Sequence, residues 1–283
     1  MKATRIAFVL NDFDLGGMPT WVYRLATRLH RDHELHFLCT LVDRVAPKFA
    51  TVGRPRFCAG GIPELVSVLR RERIDVVQYG QRPVYGEAAM AAGVPVVIER
   101  TDGWRQGLPH GARGRDAIVA STQSTAEWLR ERFGTRRVRL IHNGVDLPRF
   151  DRVMPDRLGF APDDVIVGRV SRFGEGKNLG LLIDAIDVLR RRHPRVRLVL
   201  VGGNSRMPGA ADEETLLRER AQGLEDCVRF VGRVDDPEAV IAGFDIGTCV
   251  SRQGNEGIPN SLMECMAAGK PVVATRVDDI PEL

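Results

Sequence analysis

Apolar residues come in short runs along nearly the whole chain, and most runs are followed by a stretch in which apolar positions recur every three or four residues. RIAFVL, ELHFLCTL, DVVQYG, PVVIERT, DAIVAS and VRLIHN in the first half, and DVIVGRVS, VRLVLVGG, CVRFVGR, DIGTCVS and PVVAT in the second, read as strands. Amphipathic helices are expected between them. Residues 18–31 carry Trp21, Val22, Leu25 and Leu29 on one face, and PELVSVLRRE, GEAAMAAG and STAEWLRERFG follow. Continuous apolar strands alternating with helices predict parallel sheets covered on both faces, an α/β doubly wound fold. The alternation occurs twice. Asn143-Gly144 is a turn signal and Pro148 discourages a continuing helix or strand, so two domains are expected, residues 1–147 and 148–283. Two such domains facing each other would form a cleft, a preferred place for a ligand.

The last stretch, from Ser251 onward, carries the most local information. After the strand DIGTCVS comes a glycine-containing loop, then a helix from about Pro259, where a missing N–H is tolerated, to Gly269, which fits a C-terminal cap. Ile258, Leu262 and Met266 would form the apolar stripe of that helix. Glu264 lies roughly 200° around from Leu262 and off the stripe. A loop and helix start at the carboxyl end of a strand is where open α/β sheets bind ligands, and the free N–H groups there favour anions. With Glu256 in the loop and Glu264 on the helix, the arrangement suits a phosphorylated, polyhydroxylated ligand.

Composition narrows this modestly. The chain has 283 residues, 43% hydrophobic and 28% charged, which places it among ordinary globular proteins with ample material for two cores. The net charge of +4 hints at anionic partners without choosing between sugar nucleotides, lipid surfaces and nucleic acid. Cys39, Cys58, Cys227, Cys249 and Cys265 are scattered, without a C-x-x-C pair, as expected of core residues in a reducing compartment. No stretch has the roughly 18 apolar residues of a bilayer span. A cytoplasmic protein is therefore expected, able to lie on the inner membrane face; Arg24, Arg28 and Arg31 form a basic helix face that reads first as solvated.

Two glycine-rich loops join strands to helices. NDFDLGGMPT brings Gly16 and Gly17 after the first strand, but lacks the G-x-G-x-x-G of dinucleotide folds. SRFGEGKN places Arg172 and Lys177 five apart, two cations suited to a diphosphate. Arg169 competes for the arginine position.

The run EGIPNSLMECMAAGKPVVAT…IPEL, in which Glu256 and Glu264 form E-x7-E, closely resembles the signature of retaining GT-B glycosyltransferases. That large family 4-like, group 1 set includes sucrose and glycogen synthases and phosphatidylinositol mannosyltransferases. The resemblance covers nearly the whole chain. It implies a GT-B architecture with an acceptor-side first domain and a donor-binding second one, and transfer of a sugar from a nucleotide diphosphate to an acceptor hydroxyl with retention. By position, Glu264 would meet the ribose and Glu256 the transferred sugar. Arg172, Lys177 and the N–H groups near Asn260 and Ser261 would meet the diphosphate, Gly16 and Gly17 would face it from the first domain, and Arg233 would approach the base. Where many relatives carry a histidine, this chain has Glu99-Arg100-Thr101-Asp102, which leaves Arg100 and Asp102 as acceptor-side candidates. His142 reads as structural. Implied partners are a UDP-, GDP- or ADP-linked sugar and a glycan, lipid or small-molecule acceptor, with no nucleic acid, no cofactor and no metal. Asp12-Phe13-Asp14 looks like a metal-binding D-x-D but reads as turn and cap residues. Relatives continue past the position of Leu283, so a second domain incomplete at its end is expected. The alternatives are a GT-B sugar-nucleotide epimerase and a non-catalytic nucleotide-sugar-binding module.

Overall fold

The computed structural model describes residues 3–14, 16–80, 82–101, 116–134, 136–204 and 211–283. The chain divides into two compact units, Met1–Gly144 and Val145–Leu283. In the first, the elements run β1 (Arg5–Leu10), α1 (Gly17–Leu29), β2 (Glu34–Cys39), β3 (Arg54–Phe57), α2 (Gly61–Arg71), β4 (Val76–Tyr79), α3 (Pro83–Ala91), β5 (Val96–Thr101), β6 (Ala117–Ala120), α4 (Gln123–Phe133) and β7 (Val138–Leu140). Every strand pairs in parallel, in the order β3-β2-β1-β4-β5-β6-β7.

The two-sided burial expected from the apolar runs shows in how β1 divides its residues. Ala7 and Val9 pack with Leu65, Val68 and Leu69 of α2 and Ala88 and Ala89 of α3. Phe8 and Leu10 pack with Val22 and Ala26 of α1 on the other face. There an aromatic cluster closes the layer, with Phe37 and Phe49 at 4.8 Å between ring centroids and Phe13 and Phe49 at 5.0 Å. β3 was not expected. It is an edge strand whose first three residues are exposed, with Pro55 in its middle, so it has neither an apolar run nor alternation to betray it.

The second unit repeats the plan with α5 (Leu147–Phe150), β8 (Val165–Phe173), α6 (Leu179–Arg190), β9 (Val196–Asn204), α7 (Glu213–Arg220), β10 (Val228–Gly232), α8 (Glu238–Ala242), β11 (Ile246–Cys249), α9 (Asn260–Ala267) and β12 (Val272–Ala274). Its sheet is again all parallel, in the order β10-β9-β8-β11-β12. Leu198 and Leu200 face α6 and α7, and Val199 and Val201 face the layer of α8 and α9. The α/β fold with two doubly wound parallel sheets is therefore as expected.

Among the described residues, the tightest backbone approach is near the end of β9. Gly202 has φ +134°, and a methyl group there would collide with the Ser171 carbonyl oxygen of β8. Gly202→Ala is expected to cost about 1–3 kcal/mol from the backbone conformation alone. A urea unfolding midpoint unchanged from wild type would contradict this.

Candidate functional site

The second sheet changes direction between β8 and β11: from β8 the chain builds outward through β9 to β10, then returns to β11 on the other side. Loops leaving the carboxyl ends of two such strands diverge and leave a crevice. After β8 the loop turns through Glu175–Lys177, and Asn178, at φ +52°, turns it into α6. After β11 the loop runs to Pro259 and α9. The two loops are tied together. Arg252 N donates to Gly176 O at 2.9 Å, Arg252 pairs with Glu175 at 2.6 Å, and Lys177 Nζ donates to Asn255 O at 2.8 Å. Gly176 permits the approach, since a methyl there would collide with the Asn255 side-chain amide.

At the centre lies Glu256, its side chain 9% exposed. Oε1 accepts from Ser251 Oγ at 2.6 Å, Lys177 Nζ at 2.8 Å and Arg169 Nη2 at 3.1 Å. Among the described residues Oε2 accepts no hydrogen bond. Arg169 is more deeply buried, its side chain 1% exposed, and its Nη1 also donates to Thr248 O at 3.1 Å and reaches Ser261 Oγ of α9 at 3.5 Å. Burial alone would push the Glu256 carboxyl up. The Lys177 and Arg169 charges, with the hydrogen bonds from Lys177 and Ser251, outweigh it and hold the carboxyl below its ordinary value.

A carboxyl lowered in the folded state stabilises in full above its unfolded value near 4.5, and that contribution is lost as pH falls through the lower folded value. Urea midpoints measured from neutral pH downward are expected to fall in that acid window. Glu256→Gln should flatten this part of the profile, and an unchanged profile in the variant would contradict the assignment.

α9 begins as the sequence suggests, with Pro259 at the N-cap and Asn260 and Ser261 as its first residues, where helix N–H groups have no acceptor within the helix. It ends in a Schellman motif: Gly269 N donates to Met266 O at 3.0 Å and Lys270 N to Cys265 O at 2.9 Å, with Gly269 at φ +70°. The expected apolar stripe needs correction. Ile258 precedes the helix, Met266 is 44% exposed, and the buried positions are Leu262, Glu264 and Cys265. The reason is local: α9 packs on β8, β11, β12 and α8 together, and Gly247 of β11 leaves room for Cys265. Burial, with the Glu264 charge next in weight, pushes the Cys265 thiol up to about 12.

The remaining candidates are more scattered. Arg172 is the next-to-last residue of β8, beside Gly203; its side chain is exposed and makes no hydrogen bond or ion pair among the described residues. Arg169, which the spacing disfavours, is the arginine on Glu256. Arg233 is half-buried and donates to the Asn204 carbonyl. In the first unit Gly16 caps α1 at φ +158°, a conformation open to glycine, and Gly17 starts the helix. Arg100 is buried; it donates to Ile141 O at 3.3 Å and to the Asn143 side chain, and stacks 4.2 Å from the Trp21 ring centroid. Asp102 lies outside the described residues. Asp12 Oδ1 accepts from Asp14 N at 3.0 Å, a local turn around the buried Phe13. His142 Nδ1 donates to Ser121 O at 2.9 Å. Arg24 donates to Gly144 O at 3.2 Å and Arg28 to Arg24 O at 3.2 Å, so part of the basic face of α1 is engaged with backbone.

Two doubly wound units, the second with a buried carboxylate and cations at its strand-order reversal, match what the GT-B resemblance implies. The comparisons agree. Residues 162–283 match the family described as Glycosyl transferases group 1, and residues 15–149 match Glycosyltransferase Family 4. EpsF of Bacillus subtilis (strain 168), named as a glycosyltransferase, is 30% identical over 98% of this chain and 80% of its own length. The phosphatidyl-myo-inositol mannosyltransferase of Mycobacterium leprae (strain TN) is 32% identical over 56% of this chain and 41% of its own. Among solved structures, Anabaena HepE in complex with UDP and glucose superposes with a TM-score of 0.79 at 19% identity, covering 99% of this chain and 82% of HepE. WaaG, a glycosyltransferase involved in lipopolysaccharide biosynthesis, gives 0.69 at 16% identity, covering 98% and 83%. The chain belongs to the family 4, group 1 glycosyltransferases.

Proposed function

We propose that the protein transfers a sugar from a nucleoside diphosphate donor to an acceptor hydroxyl with retention of anomeric configuration, and that residues 148–283 carry the donor site. The observation that carries this reading is Glu256: a buried carboxylate held ionised through Oε1, with Oε2 left to accept from hydroxyls of the transferred sugar. Glu264 accepts from the ribose hydroxyls. Arg172, Lys177 and the N–H groups of Asn260 and Ser261 hold the diphosphate, and Arg233 stands near the base. Gly16 and Gly17 in the first unit, Met1–Gly144, let the backbone approach the donor phosphates, with the acceptor on that side. The UDP and glucose seen with HepE favour a nucleotide sugar as donor. The acceptor is a hydroxyl of a glycan, a lipid or a small molecule.

In the reaction the bond from the anomeric carbon to the diphosphate oxygen breaks and a bond to the acceptor oxygen forms on the same face. The acceptor proton passes to the departing phosphate oxygen. As negative charge grows on the leaving group, contacts from Arg172 and Lys177 strengthen, which is what lowers the barrier. Incubation with UDP-, GDP- and ADP-linked glucose and an acceptor panel, followed by proton NMR of the anomeric region, tests this. The expected product keeps the donor's anomeric configuration. An inverted product would overturn retention, and release of an altered sugar nucleotide without any acceptor would favour an epimerase.

A further inference from the structure

We propose that Asp278 is a positioning residue of the donor site: its carboxylate holds the backbone of residues 254–256 and so sets where Glu256 and the Asn255 carbonyl stand. The inference rests on the function proposed above. Oδ1 of Asp278 accepts from Gly254 N at 2.8 Å and from the Gln253 side-chain amide. Oδ2 accepts from Asn255 N and Glu256 N, each at 3.0 Å. Three successive backbone amides thus converge on one carboxylate, the geometry by which loops bind anions. Here the anion is part of the chain.

Asp278 occupies a left-handed conformation, φ +48°, which an L residue adopts at a cost and which points to a constraint imposed from outside the residue. The clamp itself is fixed on both sides. Thr275 N donates to Cys249 O at 2.9 Å, Thr275 Oγ1 to Ser251 O at 2.8 Å, and Val277 N to Thr275 O at 3.0 Å. Ile280 is buried against Cys249 and Leu262. A rigid carboxylate therefore grips a segment that has no helix or strand of its own. Both acceptors of Lys177, Asn255 O and Glu256 Oε1, ride on that segment, so Asp278 places the lysine as well as the glutamate. A displacement on the order of 1 Å at such a site costs about 100-fold in rate.

Two variants separate this role from simple stability. Asp278→Asn keeps the volume and tolerates the left-handed backbone, but turns one acceptor into a donor facing N–H groups. Asp278→Gly relieves the backbone and removes both oxygens. The full chain is assayed for nucleoside diphosphate release from UDP-, GDP- and ADP-linked glucose, with water as acceptor. Calorimetry gives the affinity for the bare diphosphates, and hydrogen exchange is followed over residues 252–257. Both variants are expected to fold and, because Lys177 shifts with the segment, to bind the bare diphosphate more weakly than wild type, with faster exchange in the loop and kcat about 100-fold lower. In a Glu256→Gln background, Asp278→Asn should lower kcat little further, because it acts through Glu256. Wild-type kcat in both single variants, or effects that multiply with Glu256→Gln, would overturn the proposal. So would loss of the folded circular-dichroism signal in both, which would assign Asp278 to stability alone. A wild-type protein that neither binds any of the three diphosphates nor releases one would sink the donor-site reading itself, a result seen before any variant is made.

Discussion

Glu256→Ala is expected to lower the unfolding free energy by about 3–5 kcal/mol, the usual cost of removing one partner of a buried ion pair. The size follows from what is left behind. Arg169 is 1% exposed and Glu256 is its one anionic partner among the described residues, so truncation strands a buried guanidinium whose remaining bonds reach Thr248 O and the hydroxyls of Ser251 and Ser261. Glu256→Gln keeps an acceptor at Oε1 and should cost less, roughly 1–3 kcal/mol, because it loses the charge and keeps hydrogen-bonding capacity. Both variants are expected to lose transfer activity by about 100-fold or more, since the sugar would no longer be held in its reactive position. Urea unfolding together with rate measurements reads both effects. A Glu256→Ala protein as stable as wild type would show that the Arg169 charge is balanced elsewhere.

The second large effect separates two cations that sequence spacing treats as a pair. Arg172→Ala should leave stability within about 0.5 kcal/mol, because Arg172 is exposed and has no partner among the described residues. Lys177→Ala should cost about 1–3 kcal/mol through its charged hydrogen bond to Glu256 and its bond to Asn255 O. Activity should follow a different order. If both cations meet the diphosphate, each substitution lowers kcat/KM for the donor by about 100- to 1000-fold. Arg172 is the more informative of the two, because loss of activity without loss of stability is the mark of a residue kept for its ligand. An Arg172→Ala enzyme with wild-type kcat/KM would remove it from the diphosphate and leave that role to Lys177.

The strands were legible because they are buried on both faces, as β1 shows in sending Ala7 and Val9 to one layer and Phe8 and Leu10 to the other. β3 escaped because an exposed edge strand with Pro55 at its centre has no such pattern. At the site, Lys177 and Glu256 stood out through loop position and spacing, and the structure brings them to 2.8 Å. Arg169 was visible only as a competitor. An arginine inside a strand looks solvated until the acceptors around it, Thr248 O and Glu256, are known. The burial of Glu264 was hidden for a similar reason: a helical wheel places it off the apolar stripe, but α9 is enclosed from several directions. Asp278 gave no signal, because its role depends on a left-handed backbone and on amides more than twenty positions earlier in the chain.

The central claim is that the crevice between β8 and β11 binds a nucleoside diphosphate. Thermal unfolding with UDP, GDP and ADP, on the wild type and on Glu264→Ala, tests it most directly. A ligand at about a hundred times its dissociation constant should add about 2.7 kcal/mol to the stability of the wild type. The account predicts a raised midpoint with one of the three and little or no rise in Glu264→Ala, since that carboxylate is assigned to the ribose. A well-folded wild type whose midpoint none of them moves, or an equal rise in the variant, would contradict it.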